Sequence, residues 1–361
     1  MTTAPRQEMS ASTSVGLDVL RIVAALVVVV FHASGQWLTS YPAAHSALGK
    51  MSHAAVVIFF VISGYVIAFT TATNNRGARR YAVARLSRLY AVLVPALLLT
   101  ALVEVVVHGD AALTARYVRE HAGLRYVMSA LFLNESGSLS AAPPLNSPLW
   151  SLSYEFWYYI LFGIWCYGSG RRWARWALLA AGVVAGPKIL LLLPIWLFGV
   201  AAYRLPRNRL SAGVAWLLVG SLFGVLAVAV AYLPALPMTV GDQPLFMAGQ
   251  FLTDWLVGGI CALAIWCLPA GPGLEGRSWS KSLRAIADLS FPIYTLHFPL
   301  LVLWRVLFGL QANDFGQLGV ATATVIFLAV AIGLLLEKQR PQWVRLFAWA
   351  SDAVSQKPSG R

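Results

Sequence analysis

The chain has 361 residues, 59% hydrophobic and only 11% charged, with a mean hydropathy of +0.70 and a net charge of +13. A soluble globular domain carries about 25% charged residues. The composition therefore excludes a soluble fold and implies a polytopic membrane protein, whose positive balance is a matter of orientation rather than of nucleic-acid binding. Three cysteines lie in apolar runs without a CxxC, so neither a disulfide framework nor a metal site is indicated.

A bilayer core needs about 20 apolar residues per helix. That length predicts ten spans, at 17–37, 51–71, 88–108, 149–168, 174–187, 189–203, 211–233, 250–268, 286–308 and 318–337. The expected architecture is one all-α bundle over 15–338, with a disordered cytoplasmic tail at 1–14 and a basic cytoplasmic tail at 339–361. A short interfacial helix near Trp343–Trp349 belongs to that tail. The run 22–31 behind Arg21 could pass for a secretory signal, but the many spans after it favour a retained first helix. The fifth and sixth spans are short and meet at AGPK (185–188), the pattern of a broken or re-entrant pair. The longest outer segment, 108–149, reads as one amphipathic helix on the outer surface followed by a proline-rich turn. With ten spans, 21 of the 27 Lys and Arg fall on the side of the termini. The positive-inside rule then makes both termini cytoplasmic, in the inner membrane.

Four stretches carry residues that a lipid-facing helix does not need. In LDVLRIVAALVVVVFHASG (17–35), Arg21 and His32 are 11 residues apart. They therefore share one helix face, separated by roughly 16 Å along the axis. Arg21 also suits a snorkelling anchor and His32 a packed, hydrogen-bonded ring, but ionisable groups in a membrane usually face a bundle interior or an aqueous cavity. In the second span Ser63-Gly64 interrupts an apolar run, as small residues do where helices approach closely. Five arginines crowd into 76–88, and Arg85 and Arg88 share a face at the cytoplasmic surface. They serve either as orientation charges or as a phosphate clamp, since a guanidinium matches phosphate oxygens bidentately.

The fourth span opens NSPLWSLSYEFWYY, with Glu155 about five residues inside and Tyr154 beside it. Counting helical rise, Glu155 and His32 lie at similar depths. This predicts a carboxylate–imidazole pair in which Glu155 holds the ring and raises its basicity, as a general base requires. A structural ion pair with another residue is the alternative. The ninth span adds His297 between two prolines, a second polar lining residue. His45, His53, His108 and His121 fall in or near outer loops and need no special explanation.

Taken in order, LDVLRIVAALVVVVFH with its R-x10-H, FFVISGYVI, the RxxR at Arg85–Arg88, WSLSYEFWYY and SFPIYTLHFPL resemble acyltransferase family 3, membrane enzymes that acylate sugars and other hydroxyl compounds. The resemblance covers about 18–300. It implies about ten helices, acyl-CoA (usually acetyl-CoA) as a cytoplasmic co-substrate with no permanently bound cofactor, and Arg21 and His32 as essential residues. Some relatives carry a fused extracytoplasmic hydrolase-like domain, for which this chain has no counterpart. The expected mechanism follows. Arg85 and Arg88 hold CoA phosphates, Arg21 guides the donor, and His32, oriented by Glu155, deprotonates the acceptor hydroxyl. Ser63, Tyr154 or His297 would contact substrate or oxyanion. The leading acceptor is a lipid-linked sugar or surface polysaccharide, with a secreted small molecule such as a macrolide as the alternative. A proton-coupled transporter is the competing class.

Overall fold

The computed structural model describes residues 9–74, 77–269 and 278–355, and among them every regular element is helical. In chain order these are α1 (Ala11–Trp37), α2 (Pro42–Thr73), α3 (Ala78–Val107), α4 (Ala111–Tyr117), α5 (Ala122–Ala130), α6 (Trp150–Gly168), α7 (Arg172–Ala185), α8 (Pro187–Arg204), α9 (Ala212–Tyr232), α10 (Phe251–Cys267), α11 (Ser278–Asp288), α12 (Ser290–Phe308) and α13 (Phe315–Ser355). Seven of them, α1, α2, α3, α8, α9, α12 and α13, are long and apolar enough to cross a membrane. Helices α6, α7 and α10 complete the ten-helix alternation, at 19, 14 and 17 residues. The shortness of α7 matches the broken pair read at AGPK.

The termini differ from expectation. Helix α1 already starts at Ala11, because the Ser10 side chain accepts the Thr13 N–H at 3.1 Å and donates to the Pro269 carbonyl at 3.0 Å. A disordered stretch through residue 14 is thus corrected for 9–14, while 1–8 lie outside the described residues. At the other end α13 runs through Pro341 to Ser355, so the tail at 339–355, including Trp343–Trp349, is helical. It is tied to the start of α3 by an Arg79–Asp352 ion pair of 2.7 Å, and the Phe347 ring packs tilted against Tyr90 with centroids 5.5 Å apart. Residues 356–361 of the expected tail are not among those described.

Two glycines bring α2 and α8 into backbone contact. A Cβ on Gly64 would stand 1.9 Å from the Trp196 carbonyl oxygen, and one on Gly199 would stand 1.9 Å from that of Val61. Only hydrogen fits at either position, and dispersion between closely opposed backbones is the main attraction available between helices in lipid. This approach presses the Trp196 indole against Ser63, whose hydroxyl accepts the Nε1–H at 3.2 Å.

The segment 108–149 is not one amphipathic helix on the surface. It forms two short helices, α4 and α5, and then tucks between others. The Trp157 indole N–H donates to the Phe132 carbonyl at 3.0 Å, Phe132 stacks on Phe156, and Ser153 donates to Asn134. Residues 132–134 therefore lie one to two turns inside α6. The α7–α8 turn meets the same layer: Gly137 N–H bonds the Ala185 carbonyl at 3.2 Å, and Gly186, at φ +82, leaves no room for a side chain beside Gly137. Lys188, at the AGPK break, is fully buried there. Its Nζ lies 2.6 Å from Glu135 Oε2 and 2.8 Å from Ser140 Oγ, and it also donates to the Leu139 carbonyl. The burial raises the Glu135 carboxyl above its ordinary value, against the pull of Lys188 and Ser140. Asn146 closes the segment by donating to Thr100 Oγ1 at 3.0 Å and to the Thr295 carbonyl at 2.9 Å, joining α3 and α12 to the approach of α6.

Candidate active site

Helices α1, α2, α3, α6 and α12 surround a small, partly open cavity of about 90 Å³. Its polar lining includes Arg21, Arg85, Arg88, Ser63, Glu155 and Tyr159. Arg21 lies ten residues into α1 and Arg88 ten residues into α3, each roughly 15 Å from the helix end that carries the termini. The sequence-predicted arginines, Ser63 and Glu155 are thus brought together.

Glu155 is the hub. It accepts from Ser63 Oγ at 2.8 Å and from the Tyr159 hydroxyl. Tyr159 is one turn further on α6, so the i,i+4 spacing puts it on the same face. The Ser63 proton is committed to the carboxylate, which argues against Ser63 as a free oxyanion donor. Arg85 was expected at the hydrated surface, yet it is only 8% exposed. Its guanidinium lies 5.6 Å from the Tyr81 ring centroid and 5.9 Å from that of Tyr159, and Nη2 donates to Thr70 Oγ1 at 2.7 Å. Its Nε is buried without a partner. Cation–π contact accounts for a guanidinium held among tyrosines. Arg88 is half-buried, 5.9 Å over the Phe291 ring. Arg21 keeps a 3.9 Å contact to Asp18, which also faces Arg284 at 3.7 Å.

The expected His32–Glu155 pair does not form. His32 Nδ1 lies 3.0 Å from the Val28 carbonyl and 3.1 Å from His297 Nε2, while Glu155 is occupied by Ser63 and Tyr159. Matched depth does not hold: Glu155 bonds Ser63, ten residues or roughly 15 Å from the α2 end on the side of the termini, whereas His32 lies 21 residues or roughly 31 Å into α1 from that side. Helix α12 packs against α1 at the level of His32, whereas α2 and α6 close around Glu155. Tyr154 is also corrected. It is fully buried against Phe60 and Trp150, with ring centroids at 6.0 and 5.0 Å, and does not line the cavity.

The histidine pair and the cavity are nevertheless adjacent. Tyr294 lines the cavity and bonds the Ser151 hydroxyl at 2.8 Å, and its carbonyl lies 2.7 Å from His297 Nδ1. The rings of Phe31 and Phe298 flank His32 at 4.9 and 5.2 Å. Residues missed in the sequence are Tyr159, Trp196, Ser151 and Tyr294. Only Tyr159 left a signal, its spacing from Glu155. His53, expected near an outer loop, lies within α2, and its Nε2 is 2.9 Å from Asp254 Oδ2, tying α2 to α10.

The helical membrane bundle thus holds an arginine-rich polar cavity next to a histidine pair. The chain belongs to acyltransferase family 3: the family's acyltransferase-domain profile matches residues 14–337. It is similar to an O-acetyl transferase of Shigella phage Sf6, 31% identical over 155 residues, which is 41% of this chain and 44% of that protein. The similarity thus spans under half the length of that relative. No solved structure matches.

Proposed function

We propose that this protein is an O-acyltransferase that moves an acyl group, in the first instance acetyl, from cytoplasmic acyl-CoA to a hydroxyl of a lipid-linked sugar or surface polysaccharide. The observation that carries the reading is the cavity itself. It gathers three guanidinium groups, and one turn of α12 separates its Tyr294 from the His32–His297 pair. Family membership and the O-acetyl transferase likeness support acyl transfer.

CoA carries phosphates at one end and the reactive thioester at the other. Arg85 and Arg88 bind the phosphates, and Arg21 steers the acyl end along the face that leads to His32. The 11-residue interval, roughly 16 Å of helix, is spanned by an extended pantetheine arm. His32 Nε2, which has no protein partner among the described contacts, takes the proton from the acceptor hydroxyl as its oxygen attacks the thioester carbonyl. Collapse of the tetrahedral intermediate expels the CoA thiolate, and the proton on His32 passes to that sulfur. Glu155 locks Ser63 and Tyr159 together and supplies a negative charge among the three arginines. Both termini lie on the cytoplasmic side of the inner membrane, which puts the arginines on the donor's side.

Membranes carrying the full chain, supplied with radiolabelled acetyl-CoA, test the reading. Label should enter membrane and glycan fractions only when the chain is present. His32→Ala should abolish incorporation with acetyl-CoA binding retained. Incorporation undiminished in that variant would remove His32 from the chemistry.

A further inference from the structure

His32 Nε2 becoming protonated creates an imidazolium deep in the bundle, and the carboxylate expected to balance it is bonded elsewhere. An isolated buried charge is costly unless its donors find partners. The hydrogen-bond directions around the second ring show what replaces the carboxylate. His297 Nδ1 faces two carbonyls, those of Tyr294 at 2.7 Å and Ile293 at 3.2 Å. A carbonyl only accepts, so Nδ1 carries the hydrogen. In a neutral ring Nε2 then holds the lone pair. That lone pair is 3.1 Å from His32 Nδ1, which itself faces the Val28 carbonyl at 3.0 Å and must also carry a hydrogen. The single Nδ1–H of His32 is therefore shared between the Val28 carbonyl and His297 Nε2, and from His297 the next bond runs through Nδ1–H to the backbone of α12. The open lone pair at the far end is His32 Nε2.

We propose that His297 is a proton-sharing positioning residue for His32: the two rings hold the acceptor's proton jointly during acyl transfer. The proposal rests on the reading of His32 as the base. When the acceptor hydroxyl gives its proton to His32 Nε2, the proton on His32 Nδ1 shifts toward His297 Nε2. The positive charge then spreads over two rings, the second of which donates Nδ1–H to two carbonyls. As the thiolate leaves, the Nε2 proton of His32 returns to sulfur and the Nδ1 proton settles back, so the pair ends as it began. Val28 alone could hold the tautomer of His32. It could not take up a proton, because a backbone carbonyl is no base at this strength. The second ring is what adds that capacity, and its approach is dictated by the packing of α12 on α1, with Phe298 edge-on to His32 at 5.2 Å.

The test uses the full chain in native membranes with radiolabelled acetyl-CoA. His297→Leu should lower kcat about 100-fold or more, the usual scale of general acid–base assistance, with KM for acetyl-CoA within about twofold. His297→Gln keeps the volume and an acceptor near the Nε2 position but cannot take a proton, so it should remain close to the leucine variant in kcat. In His297→Ala, added imidazole should restore turnover, and substituted imidazoles should restore it in order of their basicity. A purely packing role would show no such order. Retention of kcat within about twofold in His297→Leu overturns the proposal, as does full activity in His297→Gln or a His297→Ala loss indifferent to imidazole. If His32→Ala stays active, the assignment of the base fails first. Inactive His32→Ala with normal His297→Leu would refute only the sharing.

Discussion

Replacing Lys188 by Met tests whether a buried ion pair holds the outer layer of the bundle. Lys188 and Glu135 have side chains 0% and 1% exposed, 2.6 Å apart. Methionine preserves the length of the stem but removes the ammonium, leaving Glu135 Oε2 with the Ser140 hydroxyl at 3.2 Å. Breaking a buried pair on one side costs about 3–5 kcal/mol, because the remaining charge is uncompensated. The carboxyl of Glu135 is already raised by burial, and Lys188 is the largest opposing influence. Without Lys188 that offset disappears, so the folded state holds the Glu135 proton more tightly than the unfolded chain does. A carboxyl raised in this way stabilises the fold when protonated, and that stabilisation is lost as pH rises through its folded value. The thermal-unfolding deficit of Lys188→Met in detergent should therefore be largest at neutral pH and shrink on acidification. Adding Glu135→Leu should recover most of it, since a pair exchanged for apolar groups is often neutral. A pH-independent deficit, or one under about 1 kcal/mol, would refute the reasoning, because it falls in the range of exposed pairs.

Gly64→Ala should cost at least about 1–3 kcal/mol as an overpacked contact, since its Cβ meets the Trp196 backbone rather than a movable side chain; thermal denaturation and acetyl transfer should fall together. Tyr159→Phe removes one donor to Glu155 and should cost about 1.5–3 kcal/mol, the usual worth of a hydrogen bond to a charged group. Combined with Glu155→Gln it should be non-additive in a double-mutant cycle. The double variant Arg85→Ala, Arg88→Ala should weaken acetyl-CoA binding by calorimetry, with Arg85→Lys recovering only part because ammonium lacks the planar fork; unchanged affinity would reduce both to structural cations. A cysteine at the exposed Ser138 should be labelled by an impermeant maleimide from outside the cell, and one at the exposed Gly77 should not; the opposite pattern would move the arginine cavity away from the donor.

The apolar runs by themselves determined that this chain is a membrane bundle of about ten helices, because the length and hydropathy of a span are local properties set by the thickness of the bilayer. The same holds for residues on one helix. Arg21 and His32 share a stripe by their spacing, and Tyr159 follows Glu155 by one turn, both readable from the helical period. Contacts between helices were decided only by the tertiary structure. Counting from expected span boundaries did not place His32 against Glu155, because true helix starts, rotation and neighbour order are tertiary properties; Glu155 meets Ser63 while His32 meets His297. Gly64 shows why. Its value lies in the Trp196 carbonyl that stands against it, supplied by a helix more than a hundred residues away. The burial of Lys188 is tertiary for a related reason: it depends on the 131–143 segment folding inward, and no periodicity in either segment encodes that meeting.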